Sequence, residues 1–592
     1  MSSNFLVTRP GRCRRTILFA VMGLIVVGSP TWARAERPAS PLLLPDTTVA
    51  LLSVVNRPEM TEKFMHTALG RMSRNPQLKP LIGDLYGSLS EAMAGVEQRL
   101  GLPLDRLLAI PQGELTVAVV AREGARAAGV ILCDVGDHLA DARKMIDAAT
   151  AGFDERGVDR TEETFGRTKL VCYKGIGLLN RKMAYFEKDA TLVVGTDPEV
   201  LRQILSVWNG GGGNTLAKNG NFATIMQRCR VGGDQRPHLV GYVDPVAVAR
   251  AAGQTNSGIQ IGLAMLPLLG LDGLLGVGGT VTFDTEHYDM VTHAHVLLDS
   301  PRTGIPKMIA LKSGDMLPES WVPDDAAGYM TLHWNVMESY TTAASVFDSI
   351  QGEGALAAML QRRILGPTGI DFEKEVLEVL EGRVTRVSWI ERPITPQSQS
   401  SILGLKLLDA DAVTRTLQRV ATEKKALIEQ ETYAGKTYYR IRSPQPEEAG
   451  DGPLPCFGVL DDYLLVANRP ELYKKVLATA RGSKSLADEL DFKLVARLIR
   501  RQPGGQRPAM ISFERPDQGM RFLYDLATGQ STRARLAAQG TNNRMFRALD
   551  TALKANPLPP FEVLRQYLAP TGALIVDDET GIHYTAFSLR RK

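Results

Sequence analysis

Four side chains near residue 290 have the types and the spacing of metal ligands. His287, Asp289, His293 and His295 share odd numbering. Because successive residues of a β-strand point to opposite faces, a continuous strand would project all four from one face. His-x-His is a spacing that zinc and copper sites use, so the sequence predicts a candidate metal site. The alternative is a set of polar side chains on the solvated face of an antiparallel strand.

A repeated triplet supplies the candidate ligand-binding residues. Gln-Arg-Pro occurs at residues 235–237 and again at 506–508, each time before an apolar run. Its arginines, Arg236 and Arg507, are 507 − 236 = 271 residues apart. A guanidinium group presents a planar fork that fits a carboxylate, so both arginines are candidates for binding a ligand. The alternative is that they anchor internal salt bridges.

Other sequences that resemble catalytic motifs favour structural roles. Gly435-Lys436-Thr437 resembles the end of a phosphate-binding loop, but Gln430 stands where that motif needs glycine. We therefore predict a hairpin turn there. The glycine-rich segment 270–279 leads into a strand, which is typical of a connector and not of a dinucleotide site. The sequence also lacks the serine-hydrolase elbow and the zinc-protease motif, and it predicts no cofactor.

The elements that must position these residues recur along the chain. Strands predicted at 49–55, 114–120 and 129–134 match strands predicted at 329–334, 383–390 and 401–409. Each set is followed by a helix, a hairpin, a proline-started helix and a closing hairpin. In the closing hairpins Asp284 aligns with Asp577, an offset of 577 − 284 = 293. The order predicts an α+β fold of two tandem homologous units, each a mainly antiparallel sheet covered by helices.

This alignment also predicts the domain boundaries. Residues 36–299 form the first unit, 300–317 a linker rich in proline and glycine, and 318–592 the second unit. The alignment places an insertion in the second unit, in the polar stretch 532–556. A period of about 270 residues is far longer than a solenoid repeat, so it indicates domain duplication.

The N-terminus predicts export. Residues 1–35 combine four early arginines, an apolar stretch at 16–28 and Ala33-Arg34-Ala35, the pattern of a cleaved signal peptide. We expect a periplasmic or extracellular protein, by either the general or the twin-arginine route. No integral membrane span is expected after cleavage, since the best apolar segment, 259–277, contains Asp272, glycines and a proline.

Removal of the signal peptide changes the charge balance. Its five arginines leave 69 − 5 = 64 basic residues against 65 acidic ones, so nucleic acid is not an expected partner. The four remaining cysteines are Cys133, Cys172, Cys229 and Cys456. Their spacing fits no zinc motif and favours isolated buried thiols, with a disulfide between Cys133 and Cys172 as the alternative.

The layout resembles uncharacterised exported proteins of the kind found in planctomycete and cyanobacterial genomes, which are catalogued as domains of unknown function. The resemblance rests on the export signal, the duplicated units and motifs such as Leu44-Pro45-Asp46-Thr47. It implies a non-enzymatic envelope role and brings no catalytic residue. We therefore predict a two-unit binding or scaffold protein for an unknown envelope component or small ligand.

Two alternatives stay open. One is an envelope hydrolase or metal-dependent enzyme with a site in one unit, because the metal-ligand pattern occurs in the first unit alone. The other is a peripheral partner of a membrane complex. Zinc or copper bound in stoichiometric amounts would favour the first alternative, and purification with membranes would favour the second.

Overall fold

One antiparallel sheet runs through the chain. The computed structural model describes residues 37–176, 181–230, 235–254, 256–392, 394, 398–442, 455–482, 484–501, 507–529 and 551–591. Within these residues it has helices and a twenty-stranded sheet, the α+β mixture that the sequence predicts. The predicted signal peptide and most of the predicted insertion lie outside the described residues.

The strands are numbered in chain order. The first ten are β1 Thr48–Val54, β2 Leu115–Arg122, β3 Ala125–Asp134, β4 Asp159–Phe165, β5 Thr168–Ile176, β6 Arg181–Lys188, β7 Thr191–Gly195, β8 Leu239–Val243, β9 Leu274–Phe283 and β10 Tyr288–Leu298. The second ten are β11 Gly328–His333, β12 Leu380–Ile390, β13 Gln399–Leu407, β14 Ile428–Tyr433, β15 Lys436–Ile441, β16 Cys456–Leu460, β17 Tyr463–Ala467, β18 Met510–Glu514, β19 Thr571–Asp578 and β20 Gly581–Leu589.

The two sets of strands pair in the same order. In the first set the order across the sheet is β4-β5-β6-β7-β3-β2-β1-β8-β9-β10. In the second set it is β14-β15-β16-β17-β13-β12-β11-β18-β19-β20. The sets meet where β10 pairs with β20, from Tyr288 opposite Leu589 to Leu297 opposite Gly581. We call this pairing the seam.

The helices are also numbered in chain order. Those of the first half are α1 Arg57–His66, α2 Ala68–Ser73, α3 Lys79–Leu100, α4 Leu104–Ala109, α5 Leu139–Asp154, α6 Pro198–Trp208, α7 Gly220–Arg228, α8 Pro245–Gly253 and α9 Ser257–Leu269. The remaining ones are α10 Gly304–Met308, α11 Val336–Gln351, α12 Ala355–Leu360, α13 Gly366–Thr368, α14 Ala410–Glu423, α15 Pro470–Thr479, α16 Leu490–Arg500, α17 Pro516–Thr528 and α18 Phe561–Arg565. Short 3₁₀ and π segments lie between some of them.

Local sequence explains where several helices begin. Proline occupies the first turn of α6 and α15, as predicted, because a helix does not use the N–H groups there. The side chain of Asp197 accepts a hydrogen bond from the N–H of Glu199 and so caps α6. Asn56 caps α1 in the same way, through the N–H of Glu59.

Helices pack against the sheet and bury its apolar side chains. In the first half α6 and α7 lie over the sheet, and Leu201, Ile204 and Ile225 pack against strand residues in one buried cluster. In the second half α15 and α16 cover a matching cluster. On the other face, α5 packs against β3 and β7 in a separate cluster that contains Cys133 and Leu192. The sheet therefore has apolar cores on both faces.

The register of β14 and β15 confirms the predicted hairpin turn. Lys436 begins β15 directly after a two-residue turn, and Tyr433 lies opposite it, so the segment that resembles a phosphate-binding loop is a hairpin turn. The apolar segment 259–277 is divided between α9, a 3₁₀ turn at Leu271–Gly273 and the start of β9. Among the described residues, no helix is long and apolar enough to cross a bilayer.

Candidate functional site

The predicted metal ligands do not lie together. The register of the seam shifts between Tyr288 and Met290, which marks a bulge at the start of β10. His287 precedes the strand in an exposed turn. Asp289 accepts the backbone N–H of Ala68 with both carboxylate oxygens, each at 2.9 Å, and so caps α2. His287 therefore lies outside the strand, and the carboxylate of Asp289 is already engaged by α2.

His293 and His295 instead share a buried cluster with a histidine from the other half of the chain. His583 lies opposite His295 on β20. Its ring centroid is 5.7 Å from that of His293 and 5.8 Å from that of His295. Thr585 Oγ1 lies 3.0 Å from His293 Nδ1 and 3.3 Å from His583 Nε2, so this hydroxyl bridges two rings. We call His293, His295 and His583 the histidine cluster.

Burial keeps the histidine cluster neutral. It lowers the pKa of His293 and His295 to about 4, and with the neighbouring histidines it lowers the pKa of His583 to about 3. Neutral imidazole is the form that binds metals, but the rings of His293 and His583 are stacked within 21° of parallel. His293 Nδ1 and His583 Nε2 are both engaged by Thr585 Oγ1 instead. Among the described residues, no group of three or more His, Cys, Asp or Glu side chains is arranged to hold a metal ion.

The two candidate arginines occupy matching exposed positions. Arg236 lies shortly before β8 and Arg507 shortly before β18. No ion pair joins either guanidinium to another residue in the part of the chain that the structure describes. The backbone carbonyl of Arg507 accepts a hydrogen bond from Ser313 at 2.8 Å. The structure places the two arginines on separate strands and brings neither near the histidine cluster through any described contact.

The cysteines are buried in separate parts of the fold. Cys133 lies on β3 and Cys172 on β5, and β7 and β6 stand between these strands in the sheet. Three strand spacings amount to about 14 Å, twice the Cα separation that a disulfide tolerates, so the alternative of a Cys133–Cys172 bridge is excluded. Burial raises the pKa of the Cys229 and Cys456 thiols to about 12, which makes them poor nucleophiles.

A cleft in the second half has the features of a binding site. It has a volume of about 700 Å³ and is lined by the loop before β11, the first turns of α16 and α17, the segment from α18 to β19 and the end of β20. Leu494, Leu568 and Pro570 supply apolar surface, and aspartates, a glutamate and arginines supply charge. The lining therefore combines apolar walls with groups of both signs.

Arg515 fixes one wall of this cleft. Its guanidinium donates to both carboxylate oxygens of Asp491, at 2.7 and 3.0 Å. It also donates to the backbone carbonyls of Asp324, at 2.6 Å, and Ala326, at 2.9 Å. Bidentate pairing of this kind fixes geometry as well as charge. Arg515 thus ties the loop before β11 to α16, and its side chain is 12% exposed.

The charges at the mouth of the cleft are more exposed. Arg565 of α18 pairs with Asp517 of α17 at 3.4 Å, with exposed fractions of 60% and 29%. Arg590, at the end of β20, pairs with Asp284 at 3.1 Å. Because Asp284 is 7% exposed, the solvent-exposed pair of the two is Arg565–Asp517. Exposed ion pairs contribute about 0–1 kcal/mol to stability, so a bound ligand could replace Asp517 as the partner of Arg565 at low cost. The cleft can therefore accept a ligand that carries both positive and negative groups.

The corresponding position in the first half is chemically different. The N–H of Arg515 donates to the carbonyl of Ala327, and the N–H of Asp244 donates to the carbonyl of Val49, both at 2.8 Å. Asp244 and Arg515 each follow an equivalent strand and precede a proline. Asp244 caps α8 through the N–H of Ala247, whereas Arg515 reaches into the cleft. The residue that shapes the cleft is therefore absent from the equivalent place in the first half.

Part of the chain matches a protein family whose function is unknown. Residues 320–505 match a family model described as a protein of unknown function (DUF3352). The match runs from the approach to β11 through α16, so it includes Asp491 and ends before Arg515. No curated protein matches the chain, and no solved structure matches it.

Proposed function

We propose that this chain is an exported binding or scaffold protein of two homologous units, with its ligand site in the cleft of the second half. The signal-peptide pattern of residues 1–35 supports a periplasmic or extracellular location. The matching strand order of the two halves supports duplicated units at 36–299 and 318–592, joined by 300–317. The layout supports kinship with uncharacterised exported proteins of planctomycete and cyanobacterial type.

The observation that carries this proposal is the position of Arg515. Duplicated units share the residues that maintain their fold, and a site used by one unit should lie where they differ. Arg515 replaces the helix cap Asp244 and holds a charged cleft in the second half. The ligand is a small molecule or chain end with an ammonium and a carboxylate group, because both signs line the mouth.

Binding of charged dipeptides to the chain from Glu36 to Lys592 tests the proposal. Isothermal titration calorimetry with dipeptides that have free termini should show binding, and the same dipeptides with acetylated and amidated ends should bind at least about tenfold more weakly. Arg565→Gln should weaken binding by a similar factor. The matched control is Arg143→Gln, since Arg143 is 58% exposed and pairs with Glu187 away from the cleft.

Two kinds of binding result would contradict the proposal. Dipeptides that all fail to bind, or equal losses for Arg565→Gln and Arg143→Gln, would contradict a ligand site in the cleft. Equal binding of free and blocked dipeptides would contradict recognition through charge.

A further inference from the structure

Helix α9 is uncharged and mostly apolar, and yet it remains exposed. Its sequence, from Ser257 to Leu269, contains no charged residue, and none of its residues is buried. A helix that is hydrophobic all round normally lies in a core or in a membrane. One face of α9 is therefore not covered by any other element that the structure describes.

The inner face of α9 packs against α8. Ile259 and Leu263 lie over Gly253, at the end of α8, so closely that a Cβ there would stand 2.8 Å from Leu263 Cδ1. The outer face carries Ile261, Ala264, Met265 and Leu268, at the i, i+3, i+4 and i+7 spacing of a helical stripe. Ile261 is 72% exposed and Leu268 is 43% exposed. The outer stripe is thus as apolar as the packed one.

Neighbouring helices extend this apolar surface and add positive charge. Val248 of α8 and Ile305 of α10 are each 36% exposed, and α10 packs against α9. Helices α8, α9 and α10 together contain two charged residues, Arg250 and Lys307, and both are exposed. The acidic residues next to these helices are Asp244, which caps α8, the exposed Asp272 beyond α9, and the exposed Glu338 in the first turn of α11, which packs against α10. We call α8–α10 the apolar-basic surface.

The length of α9 restricts what this surface can contact. Thirteen residues at 1.5 Å each give about 20 Å, which is too short to span the roughly 30 Å of a bilayer core. An apolar stretch of this length belongs in a protein core or at a bilayer interface. Since no residue of α9 is buried, the core is excluded.

We propose that the apolar-basic surface docks onto a bilayer that contains anionic lipids. The outer stripe of α9 enters the boundary between headgroups and acyl chains, parallel to the membrane plane. Arg250 and Lys307 lie at headgroup level, where each cation near an anionic surface adds about 1 kcal/mol of attraction. Lipid fits better than a protein partner because the stripe from Ile261 to Leu268 offers no hydrogen-bonding side chain. This proposal does not depend on the ligand cleft.

Vesicle flotation with the chain from Glu36 to Lys592 tests the docking. The chain should float with vesicles of phosphatidylcholine and phosphatidylglycerol at a ratio of seven to three, and bind pure phosphatidylcholine more weakly. Ile261→Asp together with Met265→Asp should lower the partition coefficient by about tenfold or more, because charge replaces inserted apolar area. Leu490→Asp is the matched control, since Leu490 is 82% exposed on α16, and it should bind within about twofold of the wild type.

A charge variant and a mass measurement complete the test. Arg250→Gln with Lys307→Gln should reduce the preference for anionic vesicles, and 0.5 M salt should reduce it in the wild type. A wild-type chain that stays unbound, or an Ile261→Asp, Met265→Asp variant that binds equally, would overturn the proposal. It would also be overturned if sedimentation showed a dimer that this variant dissociates, because a second copy would then cover the surface.

Discussion

His293, His295 and His583 lie side by side in the seam, and their environment offers little to an imidazolium. Nδ1 of His295 and Nδ1 of His583 have no hydrogen-bond partner among the described residues. Arg228 lies nearby and further disfavours a positive charge on His295 and His583. Protonation of these histidines therefore destabilises the folded chain.

We predict that acid weakens this fold through the histidine cluster. In the folded chain the pKa is about 4 for His293 and His295 and about 3 for His583, against about 6.5 in an unfolded chain. Between pH 6.5 and 4 the unfolded chain binds protons that the folded chain does not, so the free energy of unfolding falls as the pH falls. Each histidine should contribute a slope of about 1.4 kcal/mol per pH unit across that window.

Urea unfolding at several pH values measures this slope. His583→Phe should make the free energy of unfolding less dependent on pH between 6.5 and 4. The control is His287→Gln, because His287 is exposed in the turn before β10. An unchanged pH dependence in the His583 variant would show that other groups control the acid response.

Residue spacing predicted part of this cluster and missed its third member. Parity along β10 placed His293 and His295 on one face, as observed. The same argument placed His287 and Asp289 with them, but His287 precedes the strand and the carboxylate of Asp289 accepts the N–H of Ala68. His583 is not among the four predicted metal ligands. Nothing local in the sequence shows that β20 pairs with β10, almost 300 residues away.

At the scale of elements, the turn chemistry made the hairpins predictable. Ala434 and Gly435 connect β14 to β15 with φ angles of 52° and 75°. Positive φ at both central residues is the geometry of a type I′ turn, which matches the twist of the strands. The turn in the first half uses Gly166, with a φ of 60°, followed by Arg167. Glycine at these positions was the visible signal.

We predict that Ala434→Asn stabilises the chain. Alanine in the left-handed region is strained, whereas asparagine before glycine is the preferred pair for this turn, so we expect a gain of about 0.5–1 kcal/mol. Gly435→Ala should cost about 1 kcal/mol. The control is Arg167→Asn, because Arg167 does not have a positive φ. Chemical denaturation measures all three variants, and a gain for Arg167→Asn would contradict the explanation by turn geometry.

The cleft was not predictable from motifs, because five separate segments of the chain form it. Asp324, Asp491 and Arg515 are far apart in sequence and meet only through the pairing of β11 with β18 and the position of α16. One signal was present. Asp244-Pro245 and Arg515-Pro516 follow equivalent strands, and the change from a helix-capping residue to arginine is visible in the aligned sequence.

At the scale of the molecule, the seam has the register of a two-fold interface. From Met290 to Leu297, each residue of β10 and the residue opposite it on β20 have numbers that add up to 878, as in 293 + 585 and 295 + 583. The predicted alignment relates each residue of β10 to the residue 293 positions later on β20. If both residues of an opposite pair are replaced by their aligned residues, the result is again an opposite pair. His293 with Thr585 becomes Ala586 with Thr292, which are opposite each other. Such a register is self-complementary in the way of an isologous dimer interface.

We predict that the two halves stay together after the chain between them is cut. A protease site inserted after Ser300, which is exposed, would separate the first half from residues 301–592. The seam would still join β10 to β20 through an antiparallel ladder, and Leu78 of the first half would still pack against Phe561 and Leu564 of the second. The cut chain should therefore elute as one species in size-exclusion chromatography. Gly581→Ala tests whether the seam holds the cut halves together. A Cβ at this position would stand 2.0 Å from the carbonyl oxygen of Val296 on the opposite strand, so the substitution should weaken the pairing. The cut Gly581→Ala chain should separate into two species more readily than the cut wild type. Two species from the cut wild type in native buffer would mean that the seam does not hold the halves together.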